Sequence, residues 1–193
     1  IMAAFERSYK LIYKANITGN PTEINIDNIF DHTRGLYVIV FSQYYYNTGG
    51  THDQWNFRRN GVLNTSSDVT RAALVLQHSQ GAAIYQGNTS NATLSTGTYA
   101  GSVATQRGNS FFYLNPGNKG VLGSYYQEAI GHVSGTGYRV QVSAGFKTGT
   151  NMNDGIQVKN VGNQYVDGVI RVFKIDDQQL YFKGQGVEVS WVV

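Results

Sequence analysis

An all-β fold, an antiparallel β-sandwich of jelly-roll-like arrangement, is what this sequence predicts, and three observations carry that reading. Short segments of alternating polarity recur along the chain, separated by Gly, Asn and Asp turns. Only 14% of the residues are Asp, Glu, Lys or Arg, against about 25% in an average soluble protein, while Gly and Tyr are abundant. No stretch shows the amphipathic helical spacing that a parallel α/β fold needs for its crossovers.

Taken in order, Phe5 to Thr18 alternates as a first strand. Phe5, Arg7, Tyr9, Leu11 and Tyr13 share one side; Glu6, Ser8, Lys10, Ile12 and Lys14 share the other, which meets solvent or a partner. A helix is the competing reading. Asn28 to Arg34 is polar and irregular, and Gly35 can supply a positive φ before the strand Leu36 to Tyr44. That strand is apolar on both faces from Val38 to Phe41, which marks it as central.

Further strands are expected at Gln54–Arg59, Ala72–Gln77, Ala82–Gln86, Thr93–Tyr99, Ser110–Leu114 and Val121–Glu128. Others follow at Gly137–Ala144, Gly155–Lys159, Val166–Lys174, Gln179–Phe182 and Val187–Val193. Val142 to Ile175 reads as stacked hairpins, with Val169, Arg171 and Phe173 facing one way and Ile170, Val172 and Lys174 the other. No repeat of fixed period is present, which disfavours a β-helix or propeller.

The 193 residues suffice for one well-packed domain. Residues 1–20 and 176–193 read as extensions of it that contact neighbouring subunits. The last segment, Val187 to Val193, alternates strongly and suits either the domain's own sheet or a neighbour's.

Charge and cysteine content narrow the function. The net charge of +3 is spread along the chain, and Arg58-Arg59 is the only adjacent basic pair, so the basic stripe of a nucleic-acid binder is missing. Without cysteine there is neither a disulfide framework nor a thiolate metal site. Arg7, Lys10 and Lys14 interrupt the apolar residues of the start, which lacks a signal-peptide core, and no window has the composition of a membrane span. Synthesis in the cytoplasm is therefore expected.

Catalytic patterns are weak. His32, His52, His78 and His132 lie in separate segments without metal-type spacing. Asp31-His32 and His52-Asp53 are acid–imidazole pairs, but no nucleophile elbow accompanies them, and turn chemistry explains both. Glycoside hydrolysis needs two carboxylates at a set separation, and the chain offers only Glu6, Glu23, Glu128 and Glu188 besides turn aspartates. Gly135-Thr-Gly137 lacks the Lys-Ser/Thr of a phosphate loop. Asn16, Asn64, Asn88 and Asn91 sit in glycosylation sequons that are coincidental in a chain without a secretory signal. No enzyme activity, cofactor or metal is expected.

Two stretches suit binding. Ala72 to Gln106 carries no Asp, Glu, Lys or Arg. A solvated sheet face usually carries charge and a subunit contact loses it, so the stretch reads either as an intersubunit surface or as a core segment with neutral loops. Tyr44, Tyr45, Tyr46, His52 and Trp55, with the loop 47–53, form a candidate recognition patch, since aromatic rings among Gly, Asn and Thr can stack on sugars or protein. Alternate burial, with Tyr44 and Tyr46 inward and Tyr45 outward, is the favoured alternative.

The order of motifs adds a family-level expectation. Leu36-Tyr-Val-Ile-Val-Phe-Ser42 is followed by a polar Gly-rich loop from Tyr44 to Asp53; Phe111-Phe-Tyr-Leu-Asn-Pro116 closes on an Asn-Pro turn; Gly131-His-Val-Ser-Gly135 turns into an extended polar segment. Asp154-Gly-Ile156, Gly162-Asn163 and Gly168-Val-Ile-Arg-Val-Phe173 complete the series, with Phe173 where a Tyr is usual. Over residues 20–175 the chain thus resembles bacteriophage virion proteins of the tail-fibre or minor structural type. The resemblance implies a non-enzymatic tail, fibre or capsid-decoration component located in the virion, contacting other virion proteins as a homo-oligomer, a trimer by preference. The alternative it allows is a carbohydrate- or receptor-binding fibre head that contacts a host-surface glycan.

Overall fold

In a computed structural model the residues described are 9–31, 36–48, 52–65, 69–77, 81–86, 93–100, 104–116, 123–133, 137–147 and 152–175. They form strands and no helix. In chain order these are β1 (Tyr9–Asn16), β2 (Glu23–Ile26), β3 (Leu36–Tyr46), β4 (His52–Arg59), β5 (Val62–Leu63), β6 (Val69–Gln77) and β7 (Gly81–Gln86). Then come β8 (Thr93–Tyr99), β9 (Gly108–Asn115), β10 (Gly123–Val133), β11 (Gly137–Lys147), β12 (Gly155–Asn160) and β13 (Tyr165–Ile175). The expected strands at Gln179–Phe182 and Val187–Val193, the extension 176–193, residues 1–8 and Gly35 lie outside the described residues.

The strands make two antiparallel sheets packed face to face, as the alternating sequence predicts. One has eight strands in the order β1-β13-β3-β9-β10-β11-β6-β7; the other has five, β2-β12-β4-β5 with β8 also on β4. Val142 to Ile175 is therefore not a stack of hairpins. β11 pairs with β10 and β6, β12 with β2 and β4 in the smaller sheet, and β13 with β1 and β3 back in the larger. Local alternation specifies strands but not their partners, which here come from distant sequence.

Alternation places the core. Tyr37, Ile39 and Phe41 of β3, Phe112 and Leu114 of β9, and Ile170 and Val172 of β13 are fully buried. They meet Trp55 and Phe57 of β4 and Ile156 and Val158 of β12 in one apolar cluster. Stacked rings run through it: Trp55 lies 5.1 Å from Phe112, and Phe112 5.2 Å from Tyr125. Pairs of this kind contribute about 0.5–1.5 kcal/mol each beyond their burial.

Bulges shift the alternation on β3 and on β1. Gln43 adopts φ 58° where the β3–β9 register slips between Ser42 and Tyr44. As a result Tyr44 and Tyr46 point inward although Phe41, of the opposite parity, also does. Gly168 (φ +145°) lies beneath this site; a Cβ there would stand 2.9 Å from Tyr44 Cβ, so only glycine fits. In β1 the register slips between Leu11 and Tyr13. The single face expected for Tyr9, Leu11 and Tyr13 is split there: Tyr9 and Leu11 are exposed, while Tyr13 and Ala15 pack against the core.

Two turns also move. The loop expected from Tyr44 to Asp53 is shorter, because β3 runs to Tyr46 and β4 begins at His52. The expected Gly131-His132 turn is the end of β10, paired with Arg139 and Tyr138 of β11.

Candidate assembly surface

The aromatic residues proposed as a recognition patch do not form one. Tyr44, Tyr46 and Trp55 are fully buried in the sandwich, as the alternate-burial reading expects. Tyr45 is half-buried beneath the Arg107 guanidinium, which lies 5.1 Å from the ring centroid and bonds Asp167 at 2.8 Å. Together with a backbone hydrogen bond from Gly168, that contact holds the Asp167 carboxyl below its ordinary range. His52 pairs with Tyr99 at the start of β4.

Asp53, the neighbour of His52, is instead the centre of a buried polar cluster. Tyr165 donates its hydroxyl to Asp53 Oδ1 at 2.5 Å, Asn160 Nδ2 lies 3.5 Å away, and the hydroxyls of Tyr46 and Tyr44 face the carboxyl. Burial pushes the carboxyl up to about 7, and these hydrogen bonds pull the other way. Burial, aided by the carboxylate's charge, also raises Tyr46 and Tyr165 well above the usual phenol range. Asn163 extends the cluster, accepting from Thr48 Oγ1 and donating its backbone N–H to Asn160 Oδ1 at 2.9 Å. Asp53 is 0% exposed; the cluster ties β4, β12, β13 and β3 together. Tyr165 and Asn160 lie more than a hundred residues from Asp53 in the chain and carried no local signal.

The carboxylates considered for hydrolysis are dispersed. Glu23 stands on the outer face of the smaller sheet and Glu128 on the outer face of the larger; Glu6 and Glu188 lie outside the described residues. Asp31 bonds Tyr37 at 2.8 Å and Lys174 at 2.6 Å. His132 packs edge-on against Tyr138, and His32 and His78 lie outside the described residues. Among the described residues no group of three or more His, Cys, Asp or Glu is placed to hold a metal.

Among the described residues, most of the exposed large apolar side chains gather on the outer face of the eight-stranded sheet. Side chains directly opposite one another in an antiparallel sheet share a face, and the register sets three rows across it. One runs Leu11, Phe173, Val38, Tyr113, Tyr126, Ala144, Ala72. The next runs Lys14, Arg171, Val40, Phe111, Glu128, Val142, Leu74. The third runs Asn16, Val169, Ser42, Asn109, Ile130, Val140, Leu76. Phe111, Tyr126, Ile130, Phe146, Leu74 and Leu76 are 38–45% exposed and Tyr138 64%. Exposed rings and aliphatic side chains gathered on one face, among Lys14, Arg171 and Glu128, have the composition that suits contact with protein.

The uncharged stretch Ala72 to Gln106 divides between these environments. β6 carries Leu74 and Leu76 to the exposed face, whereas Leu94 of β8 is buried in the core. That face's exposed rings Phe111, Tyr126, Tyr138 and Phe146, with Ile130, lie on β9, β10 and β11, outside that stretch. Its signal was present in Phe111-Phe-Tyr-Leu114, a run apolar on both faces. Compared with protein-family models, curated proteins and solved structures, the chain matches none.

Proposed function

We propose that this chain is a non-enzymatic structural protein of a bacteriophage particle, a tail or fibre component or a surface decoration protein, that works by presenting its larger sheet to neighbouring protein. One observation carries the reading: a sheet face lined by Phe111, Tyr126, Ile130 and Phe146 stands open to water. A subunit that works by being built into a larger body needs such a face. The placement in a virion rests on the motif order from Leu36 to Phe173. The glycan-binding alternative loses support because three of its five contact residues, Tyr44, Tyr46 and Trp55, are enclosed in the core.

Cryo-electron microscopy of intact particles at side-chain resolution tests the proposal. Regular copies over the capsid lattice identify a decoration protein; copies confined to the tail or fibre identify an attachment component. In either location the outer face of the large sheet is expected to be covered by protein. Particles without the chain, or copies whose large sheet faces solvent, would overturn it.

A further inference from the structure

We infer that two copies of this chain pair face to face through the outer surface of the eight-stranded sheet, related by a two-fold axis parallel to the strands and passing between β3 and β9. The inference rests on the reading of that face as an assembly surface and adds its occupant and symmetry.

Charge placement selects the axis. Arg171 and Glu128 lie on one row, separated by Val40 and Phe111. Three strand spacings hold them about 14 Å apart, too far to pair within a copy. Arg171 bonds Ser42 Oγ at 3.2 Å and Glu128 accepts from the Tyr126 hydroxyl at 2.6 Å. Rotation about the strand-parallel axis carries β13 over β10 and keeps each row above itself. Arg171 of each copy then meets Glu128 of the other, and the contact forms twice. The same operation sets Phe173 over Tyr126, Val169 over Ile130 and Val40 over Phe111, apolar groups over apolar groups, with Lys14 over Val142 and Asn16 over Val140 the exceptions. A two-fold axis across the strands would instead set Glu128 over Glu128, a like-charge contact that costs affinity.

The extent of the face suits this partner. From β1 to β11 six strands at about 4.8 Å and three rows about 7 Å apart cover about 29 Å by 20 Å. Side-chain relief brings that footprint of about 600 Å² near the roughly 800 Å² per partner of a standard stable interface. Two sheets of like twist stack readily in this aligned orientation.

Sedimentation of the full chain tests the inference, using wild type, Arg171→Glu, Glu128→Arg and the double reversal. Wild type is expected to sediment as twice the 21.3 kDa chain mass. Each single reversal creates two like-charge contacts and is expected to raise the dimer dissociation constant at least about 100-fold, while the double reversal recovers to within about tenfold of wild type. Thermal melting compared at a dilution where wild type and variants are all monomeric is expected to coincide, which confirms that association, not folding, was altered. A trimer, a monomer at about 100 µM, or a dimer that the double reversal fails to restore would each overturn the pairing. The two readings fail separately: a monomer that is still incorporated into particles overturns only the pairing, and a charge-swap-restored dimer absent from particles overturns only the virion assignment.

Discussion

The two outward faces of this sandwich are built from the same alternating strands and differ in how their side chains are satisfied. On the smaller sheet, Asn25, Gln157 and Asn56 stand in line across β2, β12 and β4 and bond one another: Gln157 Nε2 reaches Asn25 Oδ1 at 2.9 Å and Asn56 Nδ2 reaches Gln157 Oε1 at 3.3 Å. Arg58 closes the line with a fork onto Asp27 at 2.6 and 3.1 Å and a bond to Asn25 at 2.9 Å. This polar line is closed within one chain. The larger sheet presents rings and aliphatic groups that have no such internal solution, because apolar surface is satisfied only by being covered. A line closed by its own hydrogen bonds is finished by folding; a face of exposed apolar groups still stands to gain from being covered.

The largest effect is expected from breaking the apolar face. Phe111→Lys combined with Ile130→Lys places charge at its centre and is expected to abolish self-association at micromolar concentration, a loss of at least about 100-fold, with the melting temperature of the monomer nearly unchanged. Light scattering alongside calorimetry separates the two. The converse substitution, Arg58→Ala on the polar face, strands the Asp27 carboxylate and its hydrogen bonds. It is expected to cost about 2–3 kcal/mol of stability in urea unfolding, less than a fully buried pair because the Asp27 side chain is 29% exposed, and to leave self-association intact.

The buried carboxyl sharpens the contrast, since its satisfaction depends on pH. Asp53 titrates near 7 when folded, against 3.8 ordinarily. Between those values the folded chain keeps a proton that the unfolded chain has lost, so this group's contribution is full below pH 3.8 and is lost as pH rises through about 7. The slope reaches about 1.4 kcal/mol per pH unit. Asp53→Asn is expected to flatten the dependence of stability on pH between 4 and 7 without affecting association, as unfolding at several pH values would show. The smallest effect is expected at the rim. Leu76→Thr removes an exposed apolar group that the two-fold pairing leaves uncovered, and should change both folding and dimer affinity by less than about 0.5 kcal/mol.

The strand pattern was legible because alternation and Gly/Asn turns are local properties, and β3 declared itself through its doubly apolar run. β2 and β5 were missed because four and two residues are too few for a periodic signal. Bulges at Gln43 and near Ile12 reset the parity of side chains, which no fixed period anticipates. The Asp53 cluster joins distant segments and was invisible for that reason. The exposed apolar face was half-legible: depletion of charge pointed only to its β6 margin, while a strand apolar on both faces reads as core, and sequence does not say whether its second face is covered by the same chain.

The bulged first strand bears on how assembly stops. β1 is an edge of the larger sheet, and an open edge invites another chain to add a strand, then another, without end. Lys10 and Lys14 on β1, with the bulge between Leu11 and Tyr13, disfavour that addition. Growth along the sheet is blocked at this edge while stacking across it stays open. At the β1 edge the chain is thereby protected from open-ended strand addition.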